Sequence, residues 1–237
     1  MPPLRPLALL IDAILPPLCV HCAEPLPDAR PGACRWCRAT LRPLADGCRR
    51  CGLPRPGAPD SCDRCREWPA ELSAVAATRY AGAAESIAHA LKYRGWSHLA
   101  DLCAASMSDA LGARVGELEA LVPVPLHRAR LRERGFNQSA LLAHSLSDRL
   151  GIPVVDALVR PRPTRSQVGL GRAARQRNVE AAFAAAGGFR PRGAVGLVDD
   201  VATSGATLVA AAGALRDAGA GRITAITFAL ALGGPSR

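Results

Sequence analysis

The chain has 237 residues, 49% of them hydrophobic, with a formal charge of +10 at neutral pH. That length allows one α/β domain with a sizeable core plus a small appendage, and no apolar run is long enough to cross a bilayer. Nearly all the positive charge is arginine, Lys92 being the only lysine. A bias toward Arg and Ala explains much of this, but the balance still favours polyanionic partners, either nucleic acid or phosphorylated small molecules.

Residues 7 to 18, LALLIDAILPPL, are apolar but short, and Asp12 and two prolines interrupt them. No small-residue cleavage site precedes Cys19, so a short amphipathic helix in a soluble, cytoplasmic chain is expected. Eight of the nine cysteines then form four CxxC pairs: Cys19/Cys22, Cys34/Cys37, Cys48/Cys51 and Cys62/Cys65. A CxxC turn aims two thiolates at one point, and two such turns complete a tetrahedral sulfur site for zinc. The connecting stretches AEPLPDARPGA and GLPRPGAPDS hold too few apolar residues for a core, so metal would have to supply the folding free energy. Two closed, structural zinc sites follow, paired either consecutively or in a cross-braced order. Cys103 stands alone in an Ala-rich helical stretch and reads as core.

From Tyr80 to about Leu111 the pattern is helical, with Ile87, Leu91, Leu99 and Leu102 on a buried stripe and a break at Gly95. EALVPVPL (119–126) reads as a strand ending at prolines, and QSALLAHSLSDRLG (138–151) as an amphipathic helix stopped by Gly151. IPVVDALVR (152–160) is the next strand candidate. Six arginines and no acid follow between Arg160 and Arg177, in a loop-like stretch with Thr164, Ser166, Gly169 and Gly171. AVGLVDDV is a strand apolar enough to be buried on both faces. A helix at about 205–218 and a last strand, ITAITFALAL (223–232), complete the order. Alternating strands and helices imply a parallel sheet with helices on both sides, and in such sheets ligands bind beyond the carboxyl ends of the strands.

Asp199 and Asp200 fall at such an end. Thr203, Ser204, Gly205, Ala206 and Thr207 follow, leading into a helix N-terminus whose free N–H groups and dipole favour a phosphate. There is no GxxxxGK[ST], so this is not an ATPase loop. Paired acids beside one phosphate suit a sugar phosphate, with the loop on the 5′-phosphate and the carboxylates accepting from vicinal hydroxyls. Paired acids at a buried strand end are costly without such a partner.

VGLVDDVATSGAT resembles the phosphoribosyl-pyrophosphate (PRPP) signature of type I phosphoribosyltransferases. KYRG (92–95), VPVPLHRARLRERGFNQ (122–138), Gln167, Leu170, RQRN (175–178), Phe183 and the fourfold CxxC head narrow the resemblance to the ComF family, linked to DNA uptake in competent bacteria. It implies a parallel-sheet, type I phosphoribosyltransferase-like α/β domain at 119–237. Ahead of it would lie a short helix and tandem zinc ribbon at 1–70 and a helical hood or connector at 71–118. It further implies that Asp199 and Asp200 meet the ribose 2′ and 3′ hydroxyls and that Thr203 to Thr207 form the 5′-phosphate loop. Pro125, Leu126, His127 and Arg128 correspond to the pyrophosphate loop, although a lone histidine after prolines also suits a cap. Arg165, Gln167, Arg172, Arg175, Arg177 and Asn178 would form a mobile loop closing over the diphosphate, with Mg²⁺ bridging diphosphate and ribose oxygens. The same arginines, with Arg128, Arg130, Arg132 and Arg134, also suit a track for single-stranded DNA. Two functions are therefore expected from one site: a competence protein that binds PRPP, or a phosphoribosyltransferase with an unidentified nucleobase or amine acceptor.

Overall fold

The computed structural model of the protein describes residues 16–26, 32–44, 48, 50–54, 62, 65, 68–161, 182–191 and 193–232. The strands are β1 (Leu72–Arg79), β2 (Leu118–Pro123), β3 (Leu158–Val159), β4 (Ala184–Ala185), β5 (Ala194–Ala202) and β6 (Arg222–Leu230). The helices are α1 (Arg35–Ala39), α2 (Ala83–Tyr93), α3 (Leu99–Leu111), α4 (Arg128–Arg134), α5 (Gln138–Leu150) and α6 (Ala206–Asp217). Four strands pair in parallel in the order β1-β6-β5-β2, and β3 pairs with β4 as a small antiparallel ladder.

Parallel strands need crossovers, and the crossovers cover both faces. Ile87, Leu91, Leu99, Met107, Leu142 and Leu146 from α2, α3 and α5 pack on one face with Val198 and Ile226. Leu208, Ala211 and Leu215 from α6 pack on the other with Val195, Leu197 and Ala225. Central β5 is buried along its length, as its apolar run requires. Gly196 sits where it does because a Cβ there would lie 2.8 Å from Leu121 and 2.9 Å from Ile226. Cys103 is fully buried on α3. Among the described residues, no helix is long and apolar enough to cross a membrane.

Two expectations change. The segment 152–160 is not a continuous strand. Leu121 N–H donates to Pro153 O and Val155 N–H to Leu121 O, making one parallel bridge at Val154 on the outer edge of β2. Ala157 N–H then donates to Val155 O, a tight turn that lifts the chain away, and Pro153 has no N–H to extend the ladder. The second change is β1, an Ala-rich stretch that carries little strand propensity and no assignment by pattern. It is held by pairing with β6 over 72–79 and by a backbone donation from Ala74 N–H to Arg50 O at 2.6 Å on its other side.

The topology places a crevice. After β2 the chain leaves through α4 and α5 to one face, and after β5 it leaves through α6 to the other. The loops of two neighbouring strands therefore diverge at their carboxyl ends and leave a gap between them.

Candidate functional site: a crevice beside two thiolate clusters

The four sulfurs of Cys19, Cys22, Cys34 and Cys37 lie within 4.8 Å of one another, and so do those of Cys48, Cys51, Cys62 and Cys65. Pairing is therefore consecutive, which removes the cross-braced alternative. Adjacent sulfurs sit 3.7 Å apart between Cys22 and Cys34, 3.6 Å between Cys48 and Cys65, and 3.6 Å between Cys51 and Cys62. A tetrahedral zinc with Zn–S bonds of about 2.3 Å needs sulfur edges of about 3.8 Å, so both donor sets fit the ion. Backbone amides already act as donors to these sulfurs, Cys34 N–H toward Cys19 Sγ at 3.3 Å and Cys62 N–H toward Cys65 Sγ at 3.4 Å. Burial alone would raise the Cys19 and Cys48 thiols. Backbone amide donors instead bring them down to about 6 and about 7, while burial and the neighbouring thiols push Cys37 and Cys51 up, so the electrostatics of the clusters are divided and the sulfur geometry carries the assignment.

The crevice has a volume of about 440 Å³, and Asp199 and Asp200 lie in its floor at 8% and 3% exposure. Ser139 Oγ donates to Asp199 Oδ1 at 2.8 Å, and Asp200 N–H donates to the same oxygen at 3.0 Å. Lys92 Nζ, on the last turn of α2, lies 2.8 Å from Asp200 Oδ2. Loss of water, and then the neighbouring charge of Asp200, push the Asp199 carboxyl up to about 7 despite Ser139 and Lys92. Burial works to lower the Lys92 amine, but the Asp200 carboxylate holds it above its ordinary range, so this lysine stays charged. On the other wall, burial and then Arg130 lower the Arg160 guanidinium, marking a crowded cationic side.

Pro125, Leu126, Thr203 and Thr207 line the crevice with the two aspartates. Ser204 Oγ lies 3.4 Å from Ala206 N–H, and Gly205 has φ +82°, a left-handed turn that glycine adopts without strain. His127 and Arg128 are not among the lining residues. His127 Nδ1 accepts from Ala129 N–H at 3.3 Å and so caps α4, whose first residue is the exposed Arg128. Arg165, Gln167, Arg172, Arg175, Arg177 and Asn178 lie outside the described residues.

The lining also contains Tyr80 and Ser139, which no motif marked, together with Lys92 and Tyr93 of KYRG, Gln138 of RGFNQ and Arg160 at the head of the arginine-rich stretch. A compositional signal was there, because the only lysine and both tyrosines of the chain line this one crevice. KYRG and RGFNQ, far apart in sequence, meet here. Arg134 lies over the Tyr93 ring at 4.9 Å, and a Cβ on Gly95 would touch Phe136 at 3.8 Å.

No family model matches the chain. It is 32% identical over 199 residues to competence protein F of Haemophilus influenzae, which covers 80% of this chain and 86% of that protein. It is 33% identical over 201 residues to DNA utilization protein YhgH of Escherichia coli K12, covering 82% and 88%. The corresponding protein of Salmonella typhimurium is 32% identical over the same length.

Two outcomes are expected from this geometry. Metal analysis of protein purified without chelators should return two zinc ions per chain; protein that folds and carries none contradicts the thiolate sites. The second concerns Asp199, whose carboxyl is raised in the fold from 3.8 to about 7. The unfolded chain ionises it first, so the free protein loses stability as pH rises through that window. Asp199→Asn should raise Tm by several degrees above pH 7, with the gap closing toward pH 4. A Tm difference that does not vary with pH contradicts it.

Proposed function

The chain belongs to the ComF family, and on that premise we propose that the crevice binds PRPP and that the protein serves DNA uptake. The observation that carries the proposal is the pair of buried carboxylates at the β5 terminus with the TSGAT turn immediately after it. A carboxylate that has lost its water needs donors, and a vicinal diol supplies two at the spacing of adjacent residues. A phosphate is repelled by the same carboxylates and belongs on the N–H groups of residues 203–207 at the start of α6. Arg130, Arg134 and Arg160, all in the lining, are placed to balance a diphosphate. The carboxylates are already engaged by Ser139 and Lys92, so Mg²⁺ would take its oxygens from the diphosphate and ribose.

The link to DNA comes from the relatives named for competence and DNA utilization. In that role the arginines of 160–177, with Arg128, Arg130, Arg132 and Arg134, would follow the backbone of a single strand, in contact with the uptake machinery.

A second reading, phosphoribosyl transfer, is favoured by one observation. The crevice continues past the carboxylates to Tyr80 and Tyr93, the latter 62% exposed. That leaves an aromatic wall for a planar acceptor. The C1–O bond to diphosphate would break as the acceptor nitrogen bonds to C1 and loses its proton to water, with diphosphate as the leaving group.

Calorimetry with PRPP and Mg²⁺ tests the main reading. Wild type should bind one equivalent. Asp199→Asn, which leaves the Lys92–Asp200 pair in place, should weaken binding by roughly ten-fold or more. Unchanged affinity removes the ribose assignment. Pyrophosphate release screened across nucleobases and amines decides the second reading: release with one acceptor establishes transfer, and none across the set, with PRPP bound, refutes it.

A further inference from the structure

We propose that Trp68 is a positioning residue through which the second zinc ribbon sets the shape of the TSGAT turn, so that loss of this zinc weakens phosphate binding at that loop. This inference rests on the PRPP reading above and assigns that site its dependence on metal.

 The dependence is local. Trp68 belongs both to the apolar cluster of the second thiolate site, with Cys48, Cys51, Cys62 and Cys65, and to the cluster under α6.

The contacts run without a gap from sulfur to loop. Trp68 N–H donates to Cys65 O at 3.0 Å, which ties the residue to the fourth ligand of the site. The Arg50 guanidinium, between Cys48 and Cys51, donates to Trp68 O at 2.6 Å and to Pro69 O at 2.9 Å. Arg50 O in turn accepts from Ala74 N–H, which fixes this knuckle to the edge of β1. At the other end the Trp68 ring lies against Gly205, so closely that a Cβ there would fall 2.5 Å from its Cζ2 and 3.2 Å from its Cε2. Gly205 is the left-handed residue of the turn and the N-cap of α6. The indole thus packs against the left-handed glycine on which the turn pivots.

Among the described residues, few apolar side chains pack around this ribbon, and the thiolate site is what would hold its knuckles together. Without the ion, Trp68 loses both of its anchors and Gly205 loses its backing. Among the described residues, the first thiolate site has no such route to the TSGAT turn. Its cluster, Cys19, Leu26, Cys34 and Cys37, packs on Ala83 at the start of α2.

The test is PRPP affinity by calorimetry with Mg²⁺, paired with zinc content on each sample. Trp68→Ala should keep both zinc ions and bind PRPP about five-fold or more weakly, and Trp68→Phe should recover most of the loss. Cys62→Ser should lose one zinc and at least as much affinity as Trp68→Ala, whereas Cys22→Ser, which disrupts the first site, should cost less. Wild-type affinity in Trp68→Ala overturns the inference, as does equal loss in the two cysteine variants. Should Trp68→Ala fold poorly, Gly205→Ala serves instead: its loss of affinity should be smaller in a Trp68→Phe background than in wild type, and equal losses contradict the contact. Failure of wild type to bind PRPP is a different result, which removes the PRPP reading itself.

Discussion

Two adjacent carboxylates at the end of a buried strand repel each other and lose their water, and Lys92 is the charge that lets them stay. Its ammonium sits 2.8 Å from Asp200, while Asp199 is left to Ser139 and a backbone amide. The result is asymmetric: one acid with a cation against it, the other raised to about 7 by burial and by its neighbour. Arginine serves almost everywhere else in this chain, but a compact ammonium on an unbranched stem reaches a single carboxylate oxygen where a five-donor fork would need more acceptors. The ion pair joins α2 to β5. Removing one partner leaves the other buried and uncompensated, at a cost of about 3–5 kcal/mol in comparable pairs.

The rest of the site follows from where the chain goes after β2 and β5. Divergent exits open the crevice, α4 and α5 bring Arg130, Arg134 and Ser139 to one side, and the TSGAT turn starts α6 on the other. The thiolate ribbons are part of this arrangement. The second covers the open edge of β1 through the Arg50–Ala74 backbone bond, which also protects a strand that would otherwise offer a free edge. The same ribbon puts Trp68 behind Gly205.

Much of the fold was legible in sequence because the signals were local. The continuous apolar run of β5, the amphipathic period and Gly151 stop of α5, and the spacing of the CxxC turns each carry their meaning within a few residues. What escaped depends on tertiary contact. β1 is Ala-rich and becomes a strand by pairing with β6, and 152–160 loses strand character where Pro153 interrupts the donors. The consecutive pairing of the cysteines is a matter of distance that spacing alone leaves open. Within the site, the aspartates and the TSGAT turn stand in one stretch and were readable. Lys92 and Tyr93 end α2, Tyr80 follows β1 and Ser139 lies in the first turn of α5, so no single stretch brings them together; KYRG and the rarity of Lys and Tyr were the only marks the sequence offered for them.

The most direct measurement is a structure of the protein with PRPP and Mg²⁺. The proposed site requires the ribose 2′ and 3′ hydroxyls within hydrogen-bond distance of Asp199 and Asp200, and the 5′-phosphate on the amides of residues 203–207. A ligand seated elsewhere, or a ribose whose hydroxyls leave both carboxylates uncontacted, would contradict it.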